Sequence, residues 1–141
     1  LLVADGADPG CVFLYSAHGN VESKANVRLP LCMAVNPNSG HVVVGSMWEK
    51  QLVVSTSSGE HVRTLSPPEL QGPAWRMTFL GPDRLVIADN SGVLYMFSWP
   101  AMRRLTLPAA VPTANVRAVA SHPTNGTLYV MLGTGEVFGF E

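Results

Sequence analysis

The sequence predicts an all-β fold built from repeated antiparallel sheets, and three observations lead to that prediction. The repeated segments are bounded by Gly, Pro, Asn and Ser and are rich in β-branched and aromatic residues, as strands usually are. No stretch shows the sustained 3.6-residue period of an amphipathic helix. Four short apolar segments start 40, 44 and 43 residues apart, namely Leu2–Asp5, Val42–Gly45, Val86–Asp89 and Tyr129–Leu132.

Each repeated segment has neighbours that complete a sheet. After a short polar turn comes a second strand, at Cys11–Ser16, Gln51–Thr56, Val93–Ser98 and Glu136–Phe140. A further strand precedes three of the four pairs, at Leu31–Val35, Trp75–Phe79 and Val116–Ala120. The turns Asn38-Ser39-Gly40, Gly81-Pro82-Asp83 and Asn125-Gly126 predict hairpins, because Gly and Asn accept positive φ.

A fourth, more polar strand is predicted at Val21–Pro30, His61–Pro68 and Met102–Pro108. Charged residues and prolines protect the outer edge of a sheet, so these strands are placed outermost. Four antiparallel strands per repeat, A innermost and D outermost, are the blade of a β-propeller. The order B-C-D, A-B-C-D, A-B-C-D, A-B-C gives about three and a half blades, a partial ring in one domain over residues 1–141. The predicted blades cover residues 1–30, 31–73, 74–115 and 116–141.

An open arc of blades leaves an apolar face at each end, because a blade buries both of its faces against neighbours. The ring is therefore expected to close through missing blades or through self-association. The first residues, Leu1 to Gly6, lack an initiator Met and a basic segment, so they do not read as a signal peptide and suggest a chain cut from something longer.

The composition narrows the class of function. The 141 residues are 47% hydrophobic and 13% charged, with a net charge of -1, which excludes disorder and argues against a nucleic-acid binder that acts through bulk charge. No apolar run approaches the roughly 18 residues of a membrane span, so no membrane partner is expected. Cys11 and Cys32 are predicted to be buried free thiols, which favours a reducing, cytoplasmic location.

Several motifs resemble the NHL repeat. The pattern P-x-x-h-A-V-x-P-x-x-G-x-h-h-V runs from Pro30 to Val44, and the segments that end at Asp5 and Asp89 also fit. The resemblance covers nearly the whole chain but is degenerate: Trp99-Pro100 replaces a glycine turn, and Leu132 replaces an Asp. WD-repeat propellers are the alternative, although no Gly-His or Trp-Asp pair stands at their expected places.

NHL propellers usually close as six blades and often form the C-terminal domain of tripartite-motif ubiquitin ligases, where they bind RNA or protein. The resemblance thus implies partner recognition by this chain. It places any ligase activity in domains outside this chain, because no RING or B-box zinc ligands are present in the sequence.

The predicted binding surface is the top rim of the propeller, which the D–A and B–C loops share. The unusual feature there is Met47-Trp48 in a B–C loop, beside Glu49 and Lys50. A large aromatic residue beside a Met at a loop tip is typical of an interface anchor. Alternatively, Trp48 folds back over the channel or over a neighbouring blade. The rim is predicted to collect Asp5, Asp8, Arg28, Met47, Trp48, Glu49, Lys50, Trp75, Arg76, Asp89, Asn90, Asn115 and Arg117.

Three arginines on this rim form a second hypothesis. Arg76 and Arg117 are predicted to occupy equivalent places where strand A begins, and Arg28 precedes the same point one unit earlier. Converging guanidinium groups would bind a phosphate or carboxylate. The alternative is that each pairs with a neighbouring Asp or a loop carbonyl. Four acidic residues on the same rim reduce the net positive charge that RNA binding needs. The predicted binding residues are Arg28, Met47, Trp48, Lys50, Trp75, Arg76, Asn115 and Arg117.

Catalytic motifs are not found. The four histidines, His18, His41, His61 and His122, form no H-x-H or H-E-x-x-H pattern, and the sequence has no G-x-S-x-G. No cofactor and no metal are therefore expected. The leading prediction is a non-enzymatic protein-interaction module, and an RNA-binding NHL-type propeller is the alternative. A calcium-dependent propeller lactonase is the second alternative, and Arg76 and Arg117 argue against it because they would repel a divalent cation.

Overall fold

Strands account for nearly all the regular structure of the chain. The computed structural model describes residues 2–5 and 10–141. The described residues form β1 (Leu2–Asp5), β2 (Cys11–Tyr15), β3 (Val21–Asn26), β4 (Pro30–Val35), β5 (Val42–Ser46), β6 (Leu52–Ser55), β7 (His61–Leu65), β8 (Ala74–Phe79), β9 (Arg84–Asp89), β10 (Leu94–Ser98), β11 (Arg104–Leu105), β12 (Val116–Ser121), β13 (Leu128–Leu132) and β14 (Val137–Phe140). A single 3-10 turn at Trp48–Lys50 interrupts them. Within the described ranges, no helix is long and apolar enough to cross a membrane.

Four antiparallel sheets follow one another along the chain. Blade 1 has the strand order β1-β2-β3, blade 2 β4-β5-β6-β7, blade 3 β8-β9-β10-β11 and blade 4 β12-β13-β14. The inner strands β4, β8 and β12 contact one another in turn. Strand β1 contacts β4, the inner strand of the next blade. The B strands β5 and β9 contact β8 and β12 in the same way, so β1 is also a B strand. In the described residues, blade 1 thus shows strands B-C-D and blade 4 shows A-B-C. The all-β class and the partial ring are confirmed.

The predicted hairpin turns join the A and B strands of three blades. Gly40, Gly81 and Gly126 have φ values of 70°, 71° and 73° there. Each lies between an A strand and the B strand with which it pairs. An L residue with a side chain rarely adopts this conformation, which explains why glycine stands at all three turns.

The outer strands are shorter than predicted. Strand β3 ends at Asn26, β7 ends at Leu65, and β11 comprises only Arg104–Leu105. Pro67 follows β7 and Pro108 follows β11, and proline has no N–H to donate to a ladder, so neither strand extends past them. In blade 3 the loop after β11 also pairs with β10, because the Leu94 N–H donates to the Thr113 carbonyl at 3.1 Å. Pro30, predicted as the end of an outer strand, instead begins β4.

The core lies between adjacent blades. Between blades 2 and 3 it includes Val43, Leu52, Ile87 and Phe97, all fully buried. Comparable clusters fill the space between blades 1 and 2 and between blades 3 and 4. Burial of apolar surface between sheets therefore stabilises the arc, since each square ångström contributes about 25 cal/mol. Each blade depends on its neighbours for this stability.

Both cysteines are free thiols, as predicted. Cys11 is buried and Cys32 is half-buried, so the prediction of two buried thiols is confirmed for Cys11 and in part for Cys32. The Cys32 thiol lies between blades 2 and 3, where its Sγ donates to the Ala74 carbonyl at 3.3 Å. Burial raises the pKa of Cys32 to about 12, although the Gly45 backbone and the Arg76 charge partly oppose this. The thiol is therefore kept protonated and unreactive at neutral pH.

Candidate functional site

The D–A and B–C loops lie together on one rim of the arc, called the top rim below. Backbone hydrogen bonds join a B–C loop to the D–A loop that precedes it in three successive blades. These bonds run from Met47 to Leu29 (3.0 Å), from Asn90 to Pro73 (3.0 Å) and from Gly133 to Asn115 (2.9 Å). The two kinds of loop therefore form one continuous surface, on which the predicted binding residues lie.

The most exposed apolar group on the top rim is the pair Met47 and Trp48. Met47 is 49% exposed and Trp48 is 42% exposed. The guanidinium carbon of Arg28 lies 3.5 Å from the centroid of the Trp48 ring, which is a close cation–π stack. Trp48 thus packs against the neighbouring loop and still presents surface to solvent. Arg28, Met47, Trp48 and Lys50 are called the Trp48 patch below.

Ser46 fixes the backbone beneath this stack. It is 1% exposed, and its hydroxyl donates to the Arg28 carbonyl. The same hydroxyl oxygen accepts the Trp48 N–H at 3.0 Å. One buried hydroxyl thereby connects the backbones of the two stacked residues, so the Trp48 patch is held in place by its own loops.

The backbone around the Trp48 patch is strained. Leu29, Glu49 and Lys50 have φ values of 46°, 51° and 54°, a left-handed conformation that costs non-glycine residues on the order of 1 kcal/mol each. The Lys50 ammonium helps to hold the loop, because it donates to the Leu70 carbonyl at 3.0 Å. Strain of this kind persists only where contacts enforce it, and it is concentrated at functional sites.

A second aromatic–arginine pair occurs in blade 3. Trp75 is 38% exposed, and the Arg76 guanidinium carbon lies 5.2 Å from its ring centroid. The Arg76 Nη1 donates to the Trp75 carbonyl at 2.7 Å. This carbonyl belongs to strand β8, so the contact is with a strand neighbour and differs from the Asp or loop carbonyl considered from the sequence.

The predicted equivalence of Arg76 and Arg117 is wrong by one residue. Each inner strand carries a β-bulge near its start, between Pro30 and Cys32, between Ala74 and Arg76, and between Val116 and Ala118. The bulged residues are Leu31, Trp75 and Arg117. Arg117 is therefore equivalent to Trp75, and Arg76 is equivalent to Cys32. Because all three strands share the bulge, the mismatch comes from unequal repeat lengths: Leu31 and Trp75 are 44 residues apart, whereas Trp75 and Arg117 are 42 apart.

Asn115 connects two rim loops through its backbone. Its φ is 58°, and its carbonyl accepts the Gly133 N–H at 2.9 Å. A side chain at Gly133 would begin 2.6 Å from the Asn115 Oδ1 atom, so the Asn115 side chain would have to move to admit it. Asn115 and Arg117 both remain exposed.

Asp89 does not belong to the exposed rim, contrary to the sequence-based expectation. It is 1% exposed and its two oxygens accept four hydrogen bonds. The donors are the Gly72 N–H (3.2 Å), the Ser91 N–H (3.0 Å), the Val93 N–H (3.1 Å) and the Tyr95 hydroxyl (3.1 Å). Asp89 therefore stabilises its own loop. Of the other predicted rim acids, Asp5 is exposed, and Asp8 lies outside the described residues.

Sequence reasoning missed two residues of this surface. Ser46 stands where Asp5 and Asp89 end the equivalent strands, whereas the sequence alignment sets Gly45 at that place. Glu69 lies in the D–A loop next to Leu70, and its Oε2 atom is buried without a hydrogen-bond partner among the described residues. No motif in the sequence singles out Glu69.

The described residues offer little for catalysis. Within residues 2–5 and 10–141, no three His, Cys, Asp or Glu side chains are grouped so that they could hold a metal ion. His122 lies in a bottom turn, where its Nδ1 accepts the Thr124 N–H at 3.3 Å. A cavity of about 520 Å³ lies beside the outer edge of blade 3, and one of about 340 Å³ lies between the inner strands near the bottom turns. The Trp48 patch lines neither of these two cavities.

Comparison with solved structures places the fold among WD40-type propellers. The chain is similar to the structure of U3-55K, a WD40-repeat propeller protein, with a TM-score of 0.64 and 14% sequence identity. The alignment covers 99% of this chain and 48% of that one, so the chain spans about half the length of the protein it matches. No family model matches the sequence, and no curated protein does. At this identity the likeness shows the fold: four antiparallel sheets that match about half of a WD40 propeller.

Proposed function

We propose that this chain is a non-enzymatic protein-interaction module that binds a partner protein through the Trp48 patch. WD-repeat-like propellers are typically protein-interaction modules. The single observation that carries the proposal is the half-exposed Trp48 ring, stacked on Arg28 at 3.5 Å in a loop that is anchored and strained. Trp, Arg and Met are the residue types that interface cores favour.

Preorganisation supports this proposal. A binding site that is already ordered loses less conformational entropy when the partner arrives. The Trp48 ring is held by Arg28, and its backbone is held by Ser46, so little ordering is left for the binding step. An exposed tryptophan without such contacts would lose its freedom on binding, at a cost of about 0.5–1.5 kcal/mol for a mobile side chain.

Substitutions on the top rim, one double and one single, test the role of this surface. Trp48→Ala together with Arg76→Glu is expected to abolish capture of a partner from a cell extract, because the double variant removes one aromatic anchor and reverses a rim charge. Trp48→Phe, which keeps an aromatic face for Arg28, should retain part of the binding. Val62→Ala is the matched control, because Val62 is 44% exposed on the outer strand of blade 2 and distant in sequence from both loops. Unchanged capture by the double variant, with an unchanged circular dichroism spectrum, would exclude this surface.

RNA binding is the second candidate, and the exposed cations of the rim favour it. Arg28, Arg76 and Arg117 are exposed, and the exposed acids among the described rim residues are Asp5 and Glu49. Trp48 and Trp75 would offer faces on which bases stack. Affinity for single-stranded RNA should then fall steeply as salt rises, with a log–log slope set by the number of phosphates contacted. A flat salt dependence would exclude this candidate.

The assignment of the chain to the NHL-repeat propellers remains a prediction. The NHL-like motif of Pro30–Val44 and a parent protein of the tripartite-motif ligase type are hypotheses from sequence resemblance alone. A cytoplasmic location is likewise part of the proposal, and it is supported by the free thiols of Cys11 and Cys32.

A further inference from the structure

Within residues 2–5 and 10–141, the two end blades each leave one sheet face uncovered. The side of a blade that points to the next blade in the chain is called its forward face, and the opposite side its backward face. Every interface within the arc joins a forward face to a backward face. In the cluster between blades 2 and 3, for example, Val43 and Leu52 of the forward face pack with Met77 and Ile87 of the backward face.

The forward face of blade 4 consists of positions that are buried in the other blades. Strand register gives the equivalences: Tyr129 pairs with Ala120 as Val86 pairs with Thr78 and Val43 with Ala34. Val43 and Val86 are fully buried at 0% exposure, whereas Tyr129 is 40% exposed. The same position therefore changes from core to surface only because blade 4 has no neighbour on that side.

Two further positions of this face show the same change. Val137 is equivalent by register to Leu52 and Leu94. It is 62% exposed, whereas Leu52 and Leu94 are 0% and 1% exposed. Met131 is equivalent to Ala88, and their exposures are 38% and 0%. The long apolar side chain of Met131 thus occupies the position that an alanine fills in blade 3.

The backward face of blade 1 is uncovered in the same way. Val3 is equivalent to Val44, Ile87 and Val130, all of which are 0% exposed, but Val3 itself is 40% exposed. Phe13 pairs with Val3 in the sheet and is half-buried, with the Lys24 ammonium 5.7 Å from its ring centroid. Two apolar faces, one forward and one backward, are therefore available at the two ends of one chain.

We propose that a second copy of this chain covers both faces, head to tail, and closes a ring of two chains. The forward face of blade 4 in each copy would contact the backward face of blade 1 in the other, which repeats the forward-to-backward packing of the arc itself. The span fits, because the chain matches about half of a propeller and aligns with 48% of the U3-55K chain. Interfaces of this heterologous kind form a closed ring when the rotation per chain is right.

The molar mass of the 141-residue chain in solution tests the proposal. Sedimentation or light scattering should give twice the 15.1 kDa of one chain. A stable monomer would overturn the proposal and would leave these faces to other blades, of this polypeptide or of another. Polymers larger than a dimer would also overturn it, because they would show that the arc does not close in two copies.

Charge substitutions show which faces are used. Val3→Glu and Val137→Glu each place a carboxylate in one of the two faces, and each should weaken dimerisation by about 100-fold or more. Both residues are exposed in a single chain, so the circular dichroism spectrum should not change. Val62→Glu is the matched control: Val62 is 44% exposed on an outer strand, and its variant should dimerise as the parent chain does.

A mixing experiment separates head-to-tail packing from packing of identical faces. The Val3→Glu chain keeps an intact blade 4 face, and the Val137→Glu chain keeps an intact blade 1 face. Mixing the two monomeric variants should therefore restore a dimer that is held by one interface. If the mixture stays monomeric, or if either variant alone still dimerises like the parent, the head-to-tail proposal is overturned.

Discussion

The B–C loops of blades 2 and 3 begin at equivalent residues, Ser46 and Asp89, but these two residues anchor their loops differently. In blade 3, Asp89 is enclosed and binds four donors, so the loop folds back on its own carboxylate. In blade 2, Ser46 supplies a shorter anchor that binds only two backbone groups. The blade 2 loop then continues into a 3-10 turn with Met47 and Trp48 exposed.

This difference shows how a repeat protein separates stability from recognition. In the blade 3 loop, the anchoring residue Asp89 makes four hydrogen bonds and is almost wholly buried. The loop with the smaller anchor holds residues in left-handed conformations and exposes a tryptophan. The candidate binding site is thus found where one repeat departs from the others, on a scaffold that the other repeats maintain.

The largest expected effect comes from removing the carboxylate of blade 3. Asp89→Ala leaves four donors without their acceptor and should lower the free energy of unfolding by about 3 kcal/mol. Asp89→Asn keeps one carbonyl oxygen and should cost clearly less. Urea denaturation of both variants measures the difference. A loss below about 1 kcal/mol for the alanine variant would mean that the network does not stabilise the fold.

The same network predicts a dependence on alkaline pH. Burial raises the pKa of Tyr95 above its ordinary value of 10.0, and the nearby Asp89 carboxylate raises it further, although the Gln71 backbone opposes this. The folded state therefore holds the phenol proton more tightly than the unfolded chain. This stabilisation is present in full below pH 10 and is lost as the pH rises, by at most about 1.4 kcal/mol per pH unit.

Urea midpoints measured from pH 8 to pH 11 would check this dependence. Tyr95→Phe lacks the ionisable group, so its stability should fall less steeply than that of the parent chain above pH 10. If the two slopes are equal, Tyr95 is not the group that titrates.

A smaller effect is expected in the blade 2 loop. Ser46→Ala removes one buried hydroxyl and should lower the free energy of unfolding by about 1–2 kcal/mol. It should also loosen the stack of Arg28 on Trp48, so that tryptophan fluorescence becomes easier to quench with acrylamide. Ser91→Ala, in the equivalent loop of blade 3, is the control, because Ser91 is exposed. Equal effects of the two substitutions would remove the special role of Ser46.

The smallest expected effect concerns backbone strain. Glu49→Gly places glycine at a φ of 51° and should raise the free energy of unfolding by about 0.5–1 kcal/mol. Glu60→Gly, at an exposed position outside the left-handed residues, should lower it instead. Thermal unfolding of both variants checks the signs. A loss of stability for Glu49→Gly would show that this loop is not strained.

Much of the fold was predictable from sequence because strand patterns and turn residues repeat. The glycines at positions 40, 81 and 126 mark hairpins that the structure contains. The site was predicted only in part. The contact of Arg28 with Trp48 joins two loops of different blades, and no local pattern encodes it. The offset between Arg76 and Arg117 depends on unequal repeat lengths, which only the strand register reveals.

The bulge at the start of each inner strand also bears on how such a surface can change. Leu31, Trp75 and Arg117 occupy this one site in three blades, so an aliphatic, an aromatic and a cationic side chain are all compatible with the same backbone. A residue left out of the ladder in this way is free of the pairing requirements of its neighbours. Evolution, or a protein engineer, can therefore alter the chemistry offered to a ligand at this site one blade at a time while the scaffold stays as it is.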